Sequence, residues 1–306
     1  MTRASLSVLQ KTAYAAPAFV LAVVGIPVYV YIPKFYTDVV GVHIGALGAI
    51  LLIVRLFDAV TDPVIGLVSD RLKSRFGRRR PLMALGAGLT AVSVLLLFNP
   101  PRFETSGAAT VWFLLLIFAL FLAWTVVIVP YESLGPELTF DYDERTTLFS
   151  MRDGALIAGT LVAAASPGAV RWLAGLPETG AGERETFFIL SVVYAPLILA
   201  GTGWCVLTFR EQAIQAGDSS RSIFRRLGSS FQNRPFRILL IAYTISAIGN
   251  NLPATLILYY VEYVLHSEFA DLFLLLYFVT GIAFLPIWVY LSGKTGKKSI
   301  WLIAID

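Results

Sequence analysis

The sequence is poor in charged residues and almost lacks cysteine. Asp, Glu, Lys and Arg make up 14% of the 306 residues, whereas soluble domains average about 25%. Hydrophobic residues reach 57%, and the mean hydropathy of +0.74 excludes an ordinary soluble domain. Cys205 is the single cysteine, which excludes an internal disulfide and gives no metal-binding pattern. The composition predicts an all-helical protein that crosses a membrane many times.

The first apolar run is too long for a signal peptide and lacks a small-residue cleavage site, so we expect it to remain as the first membrane helix. Apolar windows of about 20 residues, the length that spans about 30 Å of hydrocarbon, recur along the chain. Eight such windows lie at 12–36, 45–68, 81–98, 109–134, 148–173, 186–209, 236–265 and 272–291. A ninth opens at Ser299, and the chain ends at Asp306, so we expect a bundle truncated before its ninth helix is complete.

Lys and Arg are distributed unevenly among the connections between these windows. With a cytoplasmic N-terminus, 19 of the 24 basic residues lie on the cytoplasmic side, while Lys34, Arg102, Arg171 and Arg184 lie opposite. The positive-inside rule therefore predicts a multi-pass protein of the cell or inner membrane with a cytoplasmic N-terminus. The same rule accounts for the basic run at 75–81, so we expect membrane lipid, and no nucleic acid, as a partner.

The connection at 211–235 is rich in charge and reads as a cytoplasmic linker. It separates an N-terminal six-helix bundle at 1–210 from an incomplete C-terminal bundle at 236–306. A weak internal repeat supports two bundles, because the proline, serine, glycine and basic pair of 63–79 recur in the same order at 286–298. Parallel repeats of this kind are typical of transporters.

Three charged residues interrupt the second apolar window. Arg55, Asp58 and Asp62 are spaced by three and four residues, so a helix places them on one face. A carboxylate at bilayer depth costs about 2.5–3.5 kcal/mol, and such groups normally face a protein interior or a wet cavity on an ion or substrate path. The triad predicts an ion site, and a structural Arg–Asp pair between helices is the alternative.

Four sequence motifs resemble those of the glycoside-pentoside-hexuronide:cation symporters, the melibiose-permease-like branch of the major facilitator superfamily. They are YTDVVG at 36–41, RLFDAVTDPVIG at 55–66, SDRLKSRFGRRRP at 69–81 and VPYESLGPELTFDYDERT at 129–146. The resemblance implies the superfamily fold, here truncated to eight full transmembrane helices plus the start of a ninth. It also implies cation-coupled symport of a sugar, glycoside, uronide or related small solute by alternating access.

The resemblance also implies a cation site between the second and fourth helices. The matching positions are Asp58, Thr61, Asp62 and Thr125. Two carboxylates and two hydroxyls are the oxygen ligands that a hard monovalent cation requires. We therefore expect Na⁺ or H⁺ as the coupling ion, with Na⁺ held by Asp58 and Asp62, and no other cofactor. For Thr125, a hydroxyl bonded to its own helix is the alternative.

The substrate side departs from the family pattern. Ala22 and Ile128 stand where two sugar-binding acids are expected, which should abolish melibiose-like selectivity. Asn250 and Asn251, between a glycine and a proline, predict a broken or kinked segment of the seventh helix that faces a cavity. The candidate substrate-binding residues are Tyr29, Trp124, Glu132, Arg152, Asn250 and Asn251. An arginine suits an anion, so a lysolipid-like or other anionic substrate remains open.

The loop after the second helix resembles the superfamily's gating motif. The gating candidates are Arg55, Asp70, Arg71 and Arg78. The resemblance implies charged contacts that hold the inner side closed, and the acidic stretch at 137–144 is expected to supply partners. A solvated loop is the alternative.

An enzyme and a non-transporting membrane protein are the two other classes to which the sequence can be compared. An intramembrane phosphotransferase also uses closely spaced aspartates, but the companion residues of the CDP-alcohol enzymes are missing, so we expect no enzyme. A non-transporting membrane fragment or receptor stays open. We expect a monomer that handles a small-molecule solute.

The predicted orientation is tested by single cysteines in a Cys205→Ser background. An impermeant thiol reagent added to intact cells is expected to label Ser106→Cys and to spare Ser74→Cys, because the positive-inside rule places only position 106 outside. Labelling of position 74 without position 106 contradicts the orientation.

Overall fold

The structure of the protein is a computed structural model that describes residues 6–72, 74–209, 232–267 and 270–295. All the regular elements in these ranges are helices. They are α1 Val8–Val40, α2 Ile44–Arg71, α3 Arg80–Phe98, α4 Ser106–Leu138, α5 Tyr142–Ala174, α6 Gly180–Thr208, α7 Arg234–Tyr259 and α8 Ala270–Thr295. Within α1 the backbone forms π-helical turns at Pro27–Tyr31 and Tyr36–Val40.

Helices α1 to α6 are long and apolar enough to cross a membrane, which confirms the first six predicted windows. Helices α7 and α8 overlap the seventh and eighth windows. The ninth window, from Ser299, lies outside the described residues. Several helices extend past their windows, and α4 continues to Leu138. The physical reason is that hydropathy marks the hydrocarbon boundary, whereas a helix ends where its backbone is capped.

Polar caps and glycines set the helix ends in the first six helices. The capping side chains are Ser7 for α1, Thr105 for α4, Asp141 for α5 and Thr179 for α6. Each accepts a hydrogen bond from a backbone N–H that the first turn leaves unpaired. Gly41 and Gly175 follow α1 and α5 with φ of +88° and +62°. Glycine adopts this left-handed conformation without a Cβ clash, so both positions stop a helix sharply.

The chain divides into two compact units, Met1–Ile214 and Gln215–Asp306. In the first unit α1 packs against α5 and α6, α3 packs against α4 and α6, and α2 packs against α4. The second unit contains α7 and α8. Most of the predicted linker at 211–235 lies outside the described residues. Helix α2 is the least enclosed of the first six, with 17% of its apolar window buried against 72% for α1.

Close helix contacts in the first unit depend on glycine. A Cβ added at Gly159 of α5 would lie 2.4 Å from the carbonyl oxygen of Phe19 and 2.9 Å from the Cβ of Ala22, both on α1. A Cβ added at Gly86 of α3 would lie 2.9 Å from the backbone nitrogen of Val127 on α4. Small residues let membrane helices approach through their backbones. These glycines therefore set the α1–α5 and α3–α4 distances.

Glycine-to-alanine substitutions at two positions of α5 test this packing. Gly159→Ala is expected to lower the free energy of unfolding by about 1–3 kcal/mol, because the added methyl meets the α1 backbone. Gly154→Ala is the matched control, since a Cβ at Gly154 meets nothing within 4 Å. Thermal unfolding in detergent measures both variants. Equal melting temperatures for the two variants contradict the assigned contact.

Candidate functional site

Of the two intramembrane aspartates of α2, Asp62 contacts α4 and Asp58 contacts Arg55 on its own helix. The Thr125 hydroxyl of α4 donates a hydrogen bond to Asp62 Oδ1 at 2.9 Å. Thr61 instead donates to the Asp58 carbonyl of its own helix at 3.4 Å. A hydroxyl bonded to its own helix, the alternative for Thr125, is therefore not observed at Thr125. It is observed at Thr61. Of the two threonines, Thr125 joins α2 to α4 at the carboxylates.

The two carboxylate oxygens of Asp58 have different surroundings. Its Oδ2 lies 3.7 Å from Arg55 Nη1, one turn earlier on α2. Its Oδ1 is buried and accepts no hydrogen bond within the described part of the chain. A buried carboxylate oxygen without a donor or a cation carries a desolvation cost that no contact offsets. This oxygen fits a site that receives a positively charged ligand.

Arg55 also contacts two aromatic rings. Its guanidinium carbon lies 4.5 Å from the centroid of the Tyr29 ring and 5.0 Å from that of Phe121. Nη1 donates to the Tyr29 hydroxyl at 3.4 Å. The Arg55 side chain is 50% exposed, so its ion pair with Asp58 contributes about 0–1 kcal/mol. Each ring contact contributes a similar amount, about 0.5–1 kcal/mol. Neither partner therefore dominates the position of the guanidinium.

The local charge suits a single monovalent cation. Two carboxylates and one guanidinium leave one negative charge uncompensated, in a helix that otherwise reads as apolar. The available ligands are carboxylate and hydroxyl oxygens, which hard cations prefer. No group of three or more His, Cys, Asp or Glu side chains comes together in the residues that the structure describes. The aspartates therefore form a pair, and not part of a larger acidic cluster.

Trp124 and Tyr29, two candidate substrate residues, lie beside this pair. A Cβ added at Gly25 would lie 3.7 Å from the Trp124 ring and 4.0 Å from the Tyr29 ring. Tyr29 also packs edge-on against Phe121, with 5.4 Å between ring centroids. The Tyr29 ring thus contacts Arg55 and an aromatic neighbour, while Trp124, adjacent to Thr125 in sequence, stays half-buried.

Arg152 and Glu132 form a second polar group, farther along α4 and α5. Arg152 donates through Nε and Nη2 to Asp153 Oδ1, at 2.9 and 2.8 Å, and lies over the Phe149 ring. The Tyr14 hydroxyl is within electrostatic range of both Arg152 and Glu132. Glu132 itself is exposed. The pairing of Arg152 with Asp153, the plain alternative to substrate binding, is the geometry observed.

The two residues that depart from the family pattern, Ala22 and Ile128, pack against neighbouring side chains and helices. Ala22 lies directly against Gly159 of α5, and Ile128 packs against the buried cluster around Tyr14 and Tyr131. Helix α7 is continuous from Arg234 to Tyr259, which contradicts a break in the seventh helix, and a kink there stays a prediction. A single glycine and proline do not outweigh the surrounding helix-forming residues. The side chains of Asn250 and Asn251 lie outside the described residues.

Charged residues at the α2–α3 connection meet the end of α4. Glu137 lies 3.2 Å from Arg78 and 2.8 Å from Arg79. Arg79 also pairs with Asp70 at 3.4 Å and donates to the Ser133 carbonyl. Arg79 is 5% exposed and contacts both Asp70 and Glu137, so it lies at the centre of the cluster. The predicted partner stretch at 137–144 thus supplies Glu137.

The composition of this cluster differs from the expectation at two arginines. Arg71 is exposed at the end of α2 and is not part of the cluster. Arg79, at the centre of the cluster, is not one of the gating residues that the sequence predicts. No feature of three consecutive arginines tells which one turns inward, because that choice depends on how α2, α3 and α4 meet.

Glu144 holds the start of α1 at the same end of the unit. It accepts hydrogen bonds from the Leu6 backbone nitrogen and, at 2.7 Å, from the Thr139 hydroxyl. Lys11 lies 3.8 Å away. The acidic stretch therefore ties both α1 and α3 to the α4–α5 connection.

Comparison with known proteins gives a consistent set of relatives. The sequence profile of the family described as MFS/sugar transport protein matches residues 13–305. The uncharacterized symporter sll1374 of Synechocystis is 32% identical over 238 residues, or 76% of this chain and 42% of that protein. The inner membrane symporter YicJ of Escherichia coli is 29% identical over 263 residues, 85% of this chain and 55% of its own length.

A third relative carries a substrate in its name. The glucuronide carrier protein homolog of Escherichia coli is 28% identical over 278 residues, 89% of this chain and 59% of that protein. The chain therefore spans about half the length of the curated relatives it matches.

Proposed function

Because the chain belongs to the MFS/sugar transport protein family of the major facilitator superfamily, we propose that it acts as a cation-coupled symporter of a glycoside, uronide or related small solute. Its six long apolar helices make it a multi-pass membrane protein. The family membership confirms the resemblance carried by the four motifs. The relatives are named as symporters and a carrier, which supports transport over an enzymatic function.

The observation that carries cation coupling is the aspartate pair between α2 and α4. Asp58 has a buried oxygen that finds no donor among the residues that the structure describes, and Asp62 accepts a hydrogen bond from Thr125 at 2.9 Å. Na⁺ or H⁺ bound here would neutralise the remaining negative charge and lower the cost of keeping the pair at bilayer depth. Because Thr125 belongs to α4, occupancy of the pair changes how strongly α2 is held to α4. This dependence offers a route from ion binding to helix movement.

Alternating access needs contacts that form and break in each cycle. The cluster of Asp70, Arg78, Arg79 and Glu137 joins α2, α3 and α4 at one end of the first unit. We assign it the role of an inner latch, with the cytoplasmic orientation that the positive-inside rule predicts. A relative named as an inner membrane symporter supports an inner-membrane location for the chain.

An anionic solute is our preferred substrate class. Arg152 can bind a carboxylate through two parallel hydrogen bonds, and Ala22 and Ile128 remove the acids that would repel such an anion. A relative named as a glucuronide carrier homolog supports this choice. Since Asp153 occupies the Arg152 guanidinium at 2.8 Å, the anion has to replace Asp153. A neutral glycoside is the second candidate, with Trp124 as its stacking surface.

Substitution of the aspartate pair tests cation coupling. Asp58→Asn and Asp62→Asn are each expected to abolish cation-stimulated uptake into proteoliposomes, because each removes a charged ligand from a small site. Asp143→Asn, at an exposed position in the first turn of α5, is the control and should transport like wild type. NaCl against choline chloride and an imposed pH gradient distinguish Na⁺ from H⁺. Wild-type stimulation in both site variants would leave only a structural role for the pair.

Thermal stabilisation tests the substrate class. Methyl glucuronide is expected to raise the melting temperature of wild type, to lose this effect in Arg152→Ala, and to show a larger effect in Asp153→Asn, which frees the guanidinium. Methyl glucoside and a lysophospholipid are compared at the same concentrations, with and without Na⁺. Stabilisation by methyl glucoside alone, unchanged in Arg152→Ala, contradicts an anionic substrate.

A further inference from the structure

The Arg55 guanidinium lies between two kinds of partner. On one side is the Asp58 carboxylate, 3.7 Å from Nη1, and on the other are the rings of Tyr29 and Phe121, 4.5 and 5.0 Å from the guanidinium carbon. The same nitrogen, Nη1, faces Asp58 and also donates to the Tyr29 hydroxyl. Arg55 thus contacts the carboxylate and the rings at the same time, and because each contact is weak and the side chain is 50% exposed, a change at Asp58 can shift the balance between them.

The ring pair belongs to α1 and α4, whereas the aspartates belong to α2. Phe121 lies one turn before Thr125 on α4, and is 5% exposed. Tyr29 lies in the π-helical turn Pro27–Tyr31 of α1, and packs against Phe121 at an interplanar angle of 64°. Single π-helical turns inside α-helices are frequent at functional sites. The rings therefore form a fixed surface on α1 and α4, while Arg55 is carried by α2.

We propose that Arg55 is a tethered cation that competes with the coupling ion for Asp58, and that the Tyr29–Phe121 ring pair is the surface that holds the guanidinium when the ion is bound. This inference rests on the proposed cation site. A bound cation repels the guanidinium from Asp58, and the negative faces of the rings receive it. When the cation leaves, Arg55 returns and keeps the carboxylate partly compensated. The ring pair thus sets the cation affinity without touching the cation.

Opposite effects on cation affinity test the proposal. Arg55→Gln removes the competitor and is expected to lower the half-saturating cation concentration about fivefold, the scale of one weak ion pair. Phe121→Leu removes part of the holding surface, shifts Arg55 toward Asp58, and should raise that concentration about threefold. In the double variant the Phe121→Leu effect should vanish, because no guanidinium remains to be held. Tryptophan fluorescence of the full chain in lipid nanodiscs, titrated with NaCl against choline chloride and separately with acid, measures each value.

Phe118→Leu is the matched control. Phe118 is on α4 and packs against Phe57 of α2 at 5.2 Å between centroids, so its substitution also loosens an aromatic α2–α4 contact. It should leave the half-saturating concentration unchanged. A shift equal to that of Phe121→Leu, or a Phe121→Leu shift that persists in the Arg55→Gln background, overturns the proposal. A wild-type protein that responds to neither cation overturns the proposed cation coupling itself.

Discussion

Two carboxylates four residues apart on a membrane helix impose the constraint on which the first unit depends. Each costs about 2.5–3.5 kcal/mol at bilayer depth unless a neighbour compensates it. The structure divides this compensation between Arg55 on the same helix and the Thr125 hydroxyl on α4. Neither is a strong partner, and one Asp58 oxygen is left without a donor in the described part of the chain. This incomplete compensation is the basis of the proposed cation site.

Helix α2 carries this charge while making few other contacts. Only 17% of its apolar window is buried within the structure, and it packs against α4. Within the first unit, the Asp62–Thr125 contact and the cluster around Glu137 are therefore among the contacts that position α2. By contrast, α1, α5 and α6 meet through glycines and buried aromatic residues, contacts that leave little freedom. The first unit thus combines a tightly packed part with a helix whose position depends on charge.

Much of this arrangement is visible in the sequence, and the rest depends on contacts between distant residues. Apolar windows predict the helices, and the spacing of 55, 58 and 62 predicts one charged face, because both follow from helix geometry. Helix ends follow caps such as Asp141, which hydropathy does not report. The ring pair of Tyr29 and Phe121 joins two helices 92 residues apart in sequence. The inward turn of Arg79 likewise depends on how three helices meet.

Ala22 and Ile128, which stand where the family resemblance predicts two sugar-binding acids, both take part in helix packing. Ala22 lies against Gly159, where α1 and α5 approach so closely that an added methyl would lie 2.4 Å from a backbone oxygen. A longer side chain at position 22 would have to turn away from α5 or separate the two helices. Ile128 is equally part of the cluster around Tyr14 and Tyr131. Under the proposed function, recognition of a polar solute by the first unit falls to Trp124, Glu132 and Arg152, and of these three Arg152 carries the charge that attracts an anion.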